Sequence, residues 1–179
     1  VEINSDNYNE WQAHIAHIPQ NIFLIDDTIT KNIAFGILDD QIDHTRVALS
    51  AKQAGISNTI ESLDFKYETI VGERGTRLSG GQRQAIAIAR AAAFNPDLLI
   101  MDEPTSALAV AEVDAVLDLI NRLKETGVSI ILITHRLQDL FRVCDRIAVM
   151  YEGTKVAERK IQDTDLEDLV DLIVGGHAH

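Results

Sequence analysis

The chain has 179 residues, 46% hydrophobic and 25% charged, which fits one ordinary domain with a buried core and excludes both a disordered chain and a collagen-like one. With 28 Asp and Glu against 16 Lys and Arg, the formal charge of −12 repels phosphate backbones and anionic lipid heads, which argues against nucleic acid as a partner. Apolar runs such as Ile130-Ile131-Leu132-Ile133 fall far short of the ~18 residues of a membrane span, the single Cys144 precludes an intrachain disulfide, and no basic-then-apolar export signal opens the chain, so a reducing, cytosolic setting is expected.

In chain order, His14 to Ile18, closed by Pro19, reads as a strand. Asp27 or Thr28 is placed to cap a short helix ending near Gly36. The spacing of Val47, Leu49, Ala51 and Ala54 predicts a helix over residues 45–54, stopped by Gly55, and a polar loop with Gly72 and Gly75 occupies residues 65–78. Ser79 opens an Ala- and Ile-rich helix over 82–94 that Asn95-Pro96 ends. Leu98-Leu99-Ile100-Met101 and residues 128–134 read as strands buried on both faces, separated by an amphipathic helix over 110–124 whose apolar stripe is Val113, Val116, Leu117, Ile120 and Leu123. A helix over 136–143, a strand over 147–151, a tight turn at Glu152-Gly153-Thr154, a short return strand and a helix over 163–174 follow, the last capped by Asp163 or Thr164. Alternating strands and helices in this order predict a parallel sheet covered by helices.

Ligands of open parallel sheets bind beyond the carboxyl ends of the strands, where Gln20, Asp102-Glu103 and His135 fall, so these groups are expected to converge. A carboxylate pair there suits phosphoryl chemistry: one acid holds Mg²⁺ and its neighbour orients or deprotonates a nucleophile. Leu78-Ser79-Gly80-Gly81-Gln82 heads a helix in which Ser79 can act as cap, while the two glycines leave backbone N–H groups open to a γ-phosphate at the positive end of the helix. Each feature also has a plain structural reading, a solvated strand end for the acids and a capped helix with a flexible entry for the glycines.

Taken in order, Pro19-Gln20, Leu78-Ser79-Gly80-Gly81-Gln82, Leu98 to Glu103 and Ile133-Thr134-His135 resemble the nucleotide-binding subunit of ATP-binding-cassette (ABC) transporters over almost the whole chain. The resemblance implies an α/β, P-loop NTPase-like (RecA-like) parallel sheet with an inserted α-helical signature subdomain, the N-terminal strands and Walker A loop missing. It divides the chain into an ATPase-core remnant ending in the Q-loop (1–22), the helical signature subdomain (23–90), the ATPase core with Walker B and the switch histidine (91–151), and a C-terminal hairpin, helix and tail (152–179). It also implies that Gln20 is the Q-loop glutamine, reaching nucleotide and metal. Ser79, Gly80, Gly81 and Gln82 are then the signature motif, Asp102 the Walker B aspartate on Mg²⁺, Glu103 the catalytic glutamate and His135 the switch histidine. ATP and Mg²⁺ are the implied cofactors. The implied partners are a second nucleotide-binding domain, identical or different, and transmembrane transporter subunits or domains, on the cytoplasmic face of a membrane.

The chain departs from the family pattern in three ways. It contains no Gly-x-x-x-x-Gly-Lys-Ser/Thr, so the chain is expected to start after the phosphate cradle and the adenine-stacking aromatic, with residues 1–9 leading from the first helix into the Q-loop strand. Ala109 stands where many members carry an aspartate. The run Ile18-Pro19-Gln20-Asn21-Ile22-Phe23 and the loop Val71-Gly72-Glu73-Arg74-Gly75 are similar to exporter cassettes, whereas Leu108-Ala109-Val110-Ala111-Glu112, Val143-Cys144-Asp145-Arg146 and the tail over 169–176 are similar to sugar importers. Recombination, engineering or divergence would each produce that join. Two other functions compete with an ATPase subunit: a non-catalytic module lending residues 79–82 in trans to a partner ATPase, and a chromosome-maintenance ATPase, which would carry a long coiled coil and a basic DNA-facing surface.

Several residues have readings outside these motifs. Tyr8 and Trp11 are expected to pack on the sheet edge rather than stack adenine. Ile22-Phe23-Leu24-Ile25 is either a partner surface or ordinary packing, and Cys144 a small buried hydrophobe. His14 and His17 are expected to face opposite sides of a strand without sharing a metal, and His177 and His179 to lie in a disordered end. Asp163, Asp165, Glu167, Asp168 and Asp171 read as a solvated helix face, and a weakly stable or self-associating chain is expected if the leading strands are lacking.

Overall fold

The structure is a computed structural model that describes residue 4 and residues 7–175, so His177, His179 and much of the 1–9 segment lie outside the described residues. It divides into two compact units, Val1–Ile133 and Thr134–His179.

In the first unit, three strands, β1 (Ile15–Ile18), β2 (Leu98–Asp102) and β3 (Ser129–Ile133), pair in parallel in the order β1-β2-β3, with Ile18 opposite Met101 and Asp102 opposite Ile133. Parallel neighbours need crossover connections. The β1–β2 crossover carries α2 (Ile29–Ile33), α3 (His44–Gln53), α4 (Ser57–Glu61) and α5 (Gly80–Ala92); that between β2 and β3 carries α6 (Val110–Glu125), and α1 (Tyr8–Ala13) precedes β1. The connection expected to be an inserted helical region is therefore helical, and α5 packs on β1, α2, α3 and α6.

Local chemistry explains these helices. Of the two candidate caps for α2, Thr28 does the capping: its hydroxyl accepts from the Lys31 N–H at 3.1 Å, while Asp27 accepts from the Thr28 N–H at 2.7 Å. Asp43 caps α3 by accepting from the Thr45 and Arg46 N–H groups at 2.9 and 3.1 Å. Short α4 has no side-chain cap and was not legible in the sequence; it exists because Ile60 is fully buried. The 65–78 loop is not featureless. Its backbone is pinned by an isolated bridge between Thr28 and Ile70, and Gly75, at φ +71, is buried where a Cβ would stand 2.8 Å from the Leu24 Cδ1.

The expectation that both core strands are buried on both faces does not hold. Exposure alternates along them: Ile18, Leu99 and Met101 are buried, whereas Ile131 and Ile133 are 48% and 50% exposed. Side chains alternate across a strand, so the helical cover within this unit falls on one face of the sheet. Tyr8 and Trp11 also differ from expectation. Lying three apart on a six-residue helix with no buried residue, they remain 47% and 43% exposed and face each other with ring centroids 6.3 Å apart. In the 22–25 run the side chains split, Leu24 being buried and Phe23 exposed. His14 is not in β1; it leads into the strand, its Nδ1 2.7 Å from the Asp97 carboxylate.

The second unit contains α7 (Leu137–Val143), the antiparallel hairpin β4 (Arg146–Tyr151) and β5 (Thr154–Lys160), and α8 (Leu166–Gly175), which packs on β4 with Leu169 buried. Glu152 and Gly153 at the turn take φ +44 and +78, the paired left-handed geometry of a tight hairpin. The helix cap is neither Asp163 nor Thr164. Asp165 accepts from the Asp168 N–H at 2.9 Å, and Thr164 instead donates its hydroxyl to Asp168 at 2.6 Å. Cys144 is half-buried rather than buried, since it lies in the short link between α7 and β4.

Candidate functional site

Because Ile18 and Met101 are paired, the chain leaves β1 and β2 side by side at the carboxyl edge of the sheet. Gln20 lies two residues past β1 and is exposed; Asp102 is the last residue of β2 and half-buried. Glu103 extends the edge by one hydrogen bond, donating its N–H to the Ile133 carbonyl at 2.8 Å. It does so at φ +48, in the left-handed region that a long side chain rarely adopts and that costs of order 1–3 kcal/mol. The carbonyl of Glu103 in turn accepts from the Ser106 hydroxyl at 3.0 Å, and Thr105 beneath the turn is 1% exposed. The surroundings therefore hold Glu103 in a strained, fixed position that no sequence pattern signals.

Ser79 caps α5 as expected. Its hydroxyl oxygen accepts from the Gln82 N–H at 3.2 Å and the Gln82 side chain accepts from the Ser79 N–H at 2.9 Å, a reciprocal capping box that engages Gln82 with its own helix. The glycine N–H groups are not all open, which corrects the sequence expectation. Gly81 donates to the Glu112 carboxylate at 3.0 Å, and the other oxygen of that carboxylate accepts from the Ala109 N–H at 3.1 Å. The Gly81 N–H bond foremost, then the Ser79 hydroxyl and the Ala109 N–H, hold the Glu112 carboxyl below its ordinary pKa. The glycines also serve close approach: a Cβ at position 80 would stand 2.7 Å from the Leu108 Cδ2, and one at 81 would stand 3.2 Å from the Glu112 Cβ. Residues 79–82 therefore lie against the loop that follows Glu103 and leads into α6.

Arg90, in the last turn of α5, was missed by sequence reasoning. It donates to the Asn32 carbonyl at 2.7 Å and to the Phe23 carbonyl at 3.0 Å, three residues past Gln20, tying the helix that starts at Ser79 to the segment that leaves the sheet edge. His135 is the second residue of the other unit and is exposed; beside it the Arg136 N–H donates to Thr134 at 3.0 Å and the Arg136 guanidinium pairs with buried Asp139 at 3.1 Å. The structure thus brings Gln20, Asp102 and Glu103 to one sheet edge within a single unit, while His135 belongs to the second.

The donor set at that edge can be compared with what each implied ligand needs. No cluster of three or more His, Cys, Asp or Glu suited to a metal occurs among the described residues. An amide and two carboxylates match Mg²⁺, a hard cation that takes one or two carboxylates and completes its shell with water and phosphate oxygens. For the nucleotide, the chain offers the first turn of α5 but no Gly-rich cradle.

A parallel sheet with an Asp-Glu pair at its carboxyl edge and a helical excursion between two of its strands is of the P-loop NTPase class. Within that class, the ABC transporter family model matches residues 1–106, and the chain belongs to the ABC transporter family. It is 40% identical over 158 residues to ABC transporter B family member 15 of Arabidopsis thaliana, covering 88% of this chain and 12% of that protein. It is 47% identical over 98 residues to the ribose import ATP-binding protein RbsA of Chromobacterium violaceum, covering 55% of this chain and 20% of that one. Among solved structures, a bacterial Atm1-family ABC exporter with ATP bound superposes with a TM-score of 0.75 at 32% identity, over 96% of this chain and 30% of the exporter. The chain therefore spans a small part of each relative's length, and its matches include both a flippase-like or multidrug group and a sugar importer.

Proposed function

We propose that the chain is the ATP-hydrolysing part of an ABC transporter subunit, working in a head-to-tail pair with a second cassette and driving transmembrane partners at the cytoplasmic face of a membrane. In this reading Asp102 and Gln20 would hold Mg²⁺ beside the nucleotide phosphates, where it would supply charge neutralisation for phosphoryl transfer. Glu103 accepts a proton from the attacking water and His135 donates to the γ-phosphate. The positive first turn of α5, led by Ser79 with Gly80, Gly81 and Gln82, faces a phosphate held by the opposite cassette. The transmembrane partners are argued from the relatives' names as transporters; no helix among the described residues is long and apolar enough to cross a bilayer. The observation that carries the reading is that the Asp102-Glu103 turn and the Ser79-headed helix meet through one short loop, as the glycine contacts to Leu108 and Glu112 show.

Mixing the chain with a family cassette that has its own phosphate loop, and measuring ATP hydrolysis, tests this. Hydrolysis should rise on mixing, lose with Ser79→Arg the part that arises at the partner's nucleotide, and lose with Glu103→Gln the part that arises at the chain's own Asp102-Glu103 edge. Loss with Ser79→Arg alone would make the chain a non-catalytic donor of its signature turn, and no effect of either would overturn the reading.

A further inference from the structure

The first turn of α5 already holds an anion, one supplied by the chain itself. Gly81 donates its N–H to the Glu112 carboxylate at 3.0 Å. A backbone N–H carries one proton, and at a helix N-terminus it points outward along the axis, so an acceptor 3.0 Å away on that line and a phosphate oxygen on the same N–H exclude each other. The second Glu112 oxygen accepts from Ala109, at the start of α6, so one carboxylate bridges the positive ends of two helices. Glycine at 81 makes room for this arrangement, since any Cβ there would press on the Glu112 stem at 3.2 and 3.3 Å.

We propose that the Glu112 carboxylate is an internal occupant of the 79–82 turn, standing where a nucleotide phosphate oxygen would bind, and that phosphate engages this turn only by displacing it. The proposal rests on the reading above that the turn is directed at phosphate. Displacement is feasible because Glu112 is only half-buried, has three rotatable bonds, and keeps its cap on Ala109 when Gly81 is released. A phosphate brings two charges and three acceptor oxygens against one carboxylate oxygen. The turn is thus satisfied at rest and surrenders its donors only to a more strongly charged ligand.

Titrating the ¹⁵N-labelled 179-residue chain with inorganic orthophosphate, and following the Gly81 amide, tests the proposal in wild type, Glu112→Gln and Glu112→Ala. Gln keeps an acceptor and loses the charge; Ala removes both, and if Ala fails to fold the Gln variant still decides. Removing the competitor should tighten phosphate binding at Gly81 by about tenfold or more in the Ala variant, with Gln between Ala and wild type. Binding in wild type that is equal to or tighter than in the variants overturns the proposal and leaves the phosphate-directed reading standing. No response of Gly81 in any of the three chains overturns both.

Discussion

Arg90→Met is the most informative perturbation of the first unit. The guanidinium donates to the Asn32 carbonyl at 2.7 Å, to the Asn32 side chain at 3.3 Å and to the Phe23 carbonyl at 3.0 Å, and lies 4.8 Å from the centre of the Phe35 ring. Burial lowers its pKa from the ordinary arginine value, so part of this interaction energy offsets the cost of desolvating the charge. A hydrogen bond to a charged group nets about 1.5–3 kcal/mol and a cation over an aromatic ring about 1 kcal/mol. With one long bond and one on the exposed side, the net loss on substitution is about 3 kcal/mol, much of it from leaving the Asn32 and Phe23 carbonyls without their donor. Urea titrations followed by amide hydrogen exchange at Ile86 and Ile88, both fully buried on α5, report the unit that contains Arg90. Phe35→Leu should cost only about 1 kcal/mol, and Arg90→Lys should recover little, because an ammonium cannot reproduce the planar fork. An Arg90→Met chain within about 0.5 kcal/mol of wild type, or a Phe35→Leu chain as damaged as Arg90→Met, would refute this assignment of energies.

Three further outcomes follow from single residues. Gly75→Ala should destabilise the chain by more than about 1 kcal/mol in chemical denaturation, because φ is +71 and the new Cβ would stand 2.8 Å from the Leu24 Cδ1. Glu103→Gly should raise stability by about 1 kcal/mol by relieving the left-handed strain at φ +48, while removing the carboxylate assigned to the water; a loss of stability would show the turn is not strained. The Thr164 hydroxyl, with a further contribution from Arg159, holds the Asp168 carboxyl below its ordinary pKa, so its stabilisation is present above the unfolded value and is lost as pH falls through the folded one. Asp168→Asn should accordingly flatten the acid side of the second unit's stability profile, read from amide exchange at Leu169, and an unchanged profile would contradict that linkage.

Much of this was legible because the deciding chemistry is local. Helix starts at Thr28 and Ser79, the stop at Asn95-Pro96 and the stripe on α6 all depend on residues within a turn or two of one another. The strand runs were recognised, but their burial was not, since four consecutive apolar residues look alike whether helices cover one face or two. Short α4 and the cap at Asp165 were missed or misplaced for lack of a distinctive pattern. The motif residues Gln20, Ser79, Asp102 and Glu103 were found by type and order. What surrounds them depends on tertiary contact: Glu112 on Gly81, thirty-one residues apart, and Arg90 on Phe23, sixty-seven apart. The left-handed backbone at Glu103 likewise follows from how Ile133 and Ser106 grip the turn.

The central claim is that the turn at residues 79–82 closes on the γ-phosphate of a nucleotide carried by a second cassette. Sedimentation of the chain with a hydrolysis-blocked family cassette bearing its own phosphate loop tests it directly. A complex that forms with Mg·ATP, does not form with Mg·ADP, and is lost with Ser79→Arg is the predicted result. Sedimentation that is the same with ATP, ADP and no nucleotide, or a complex indifferent to Ser79→Arg, would contradict it.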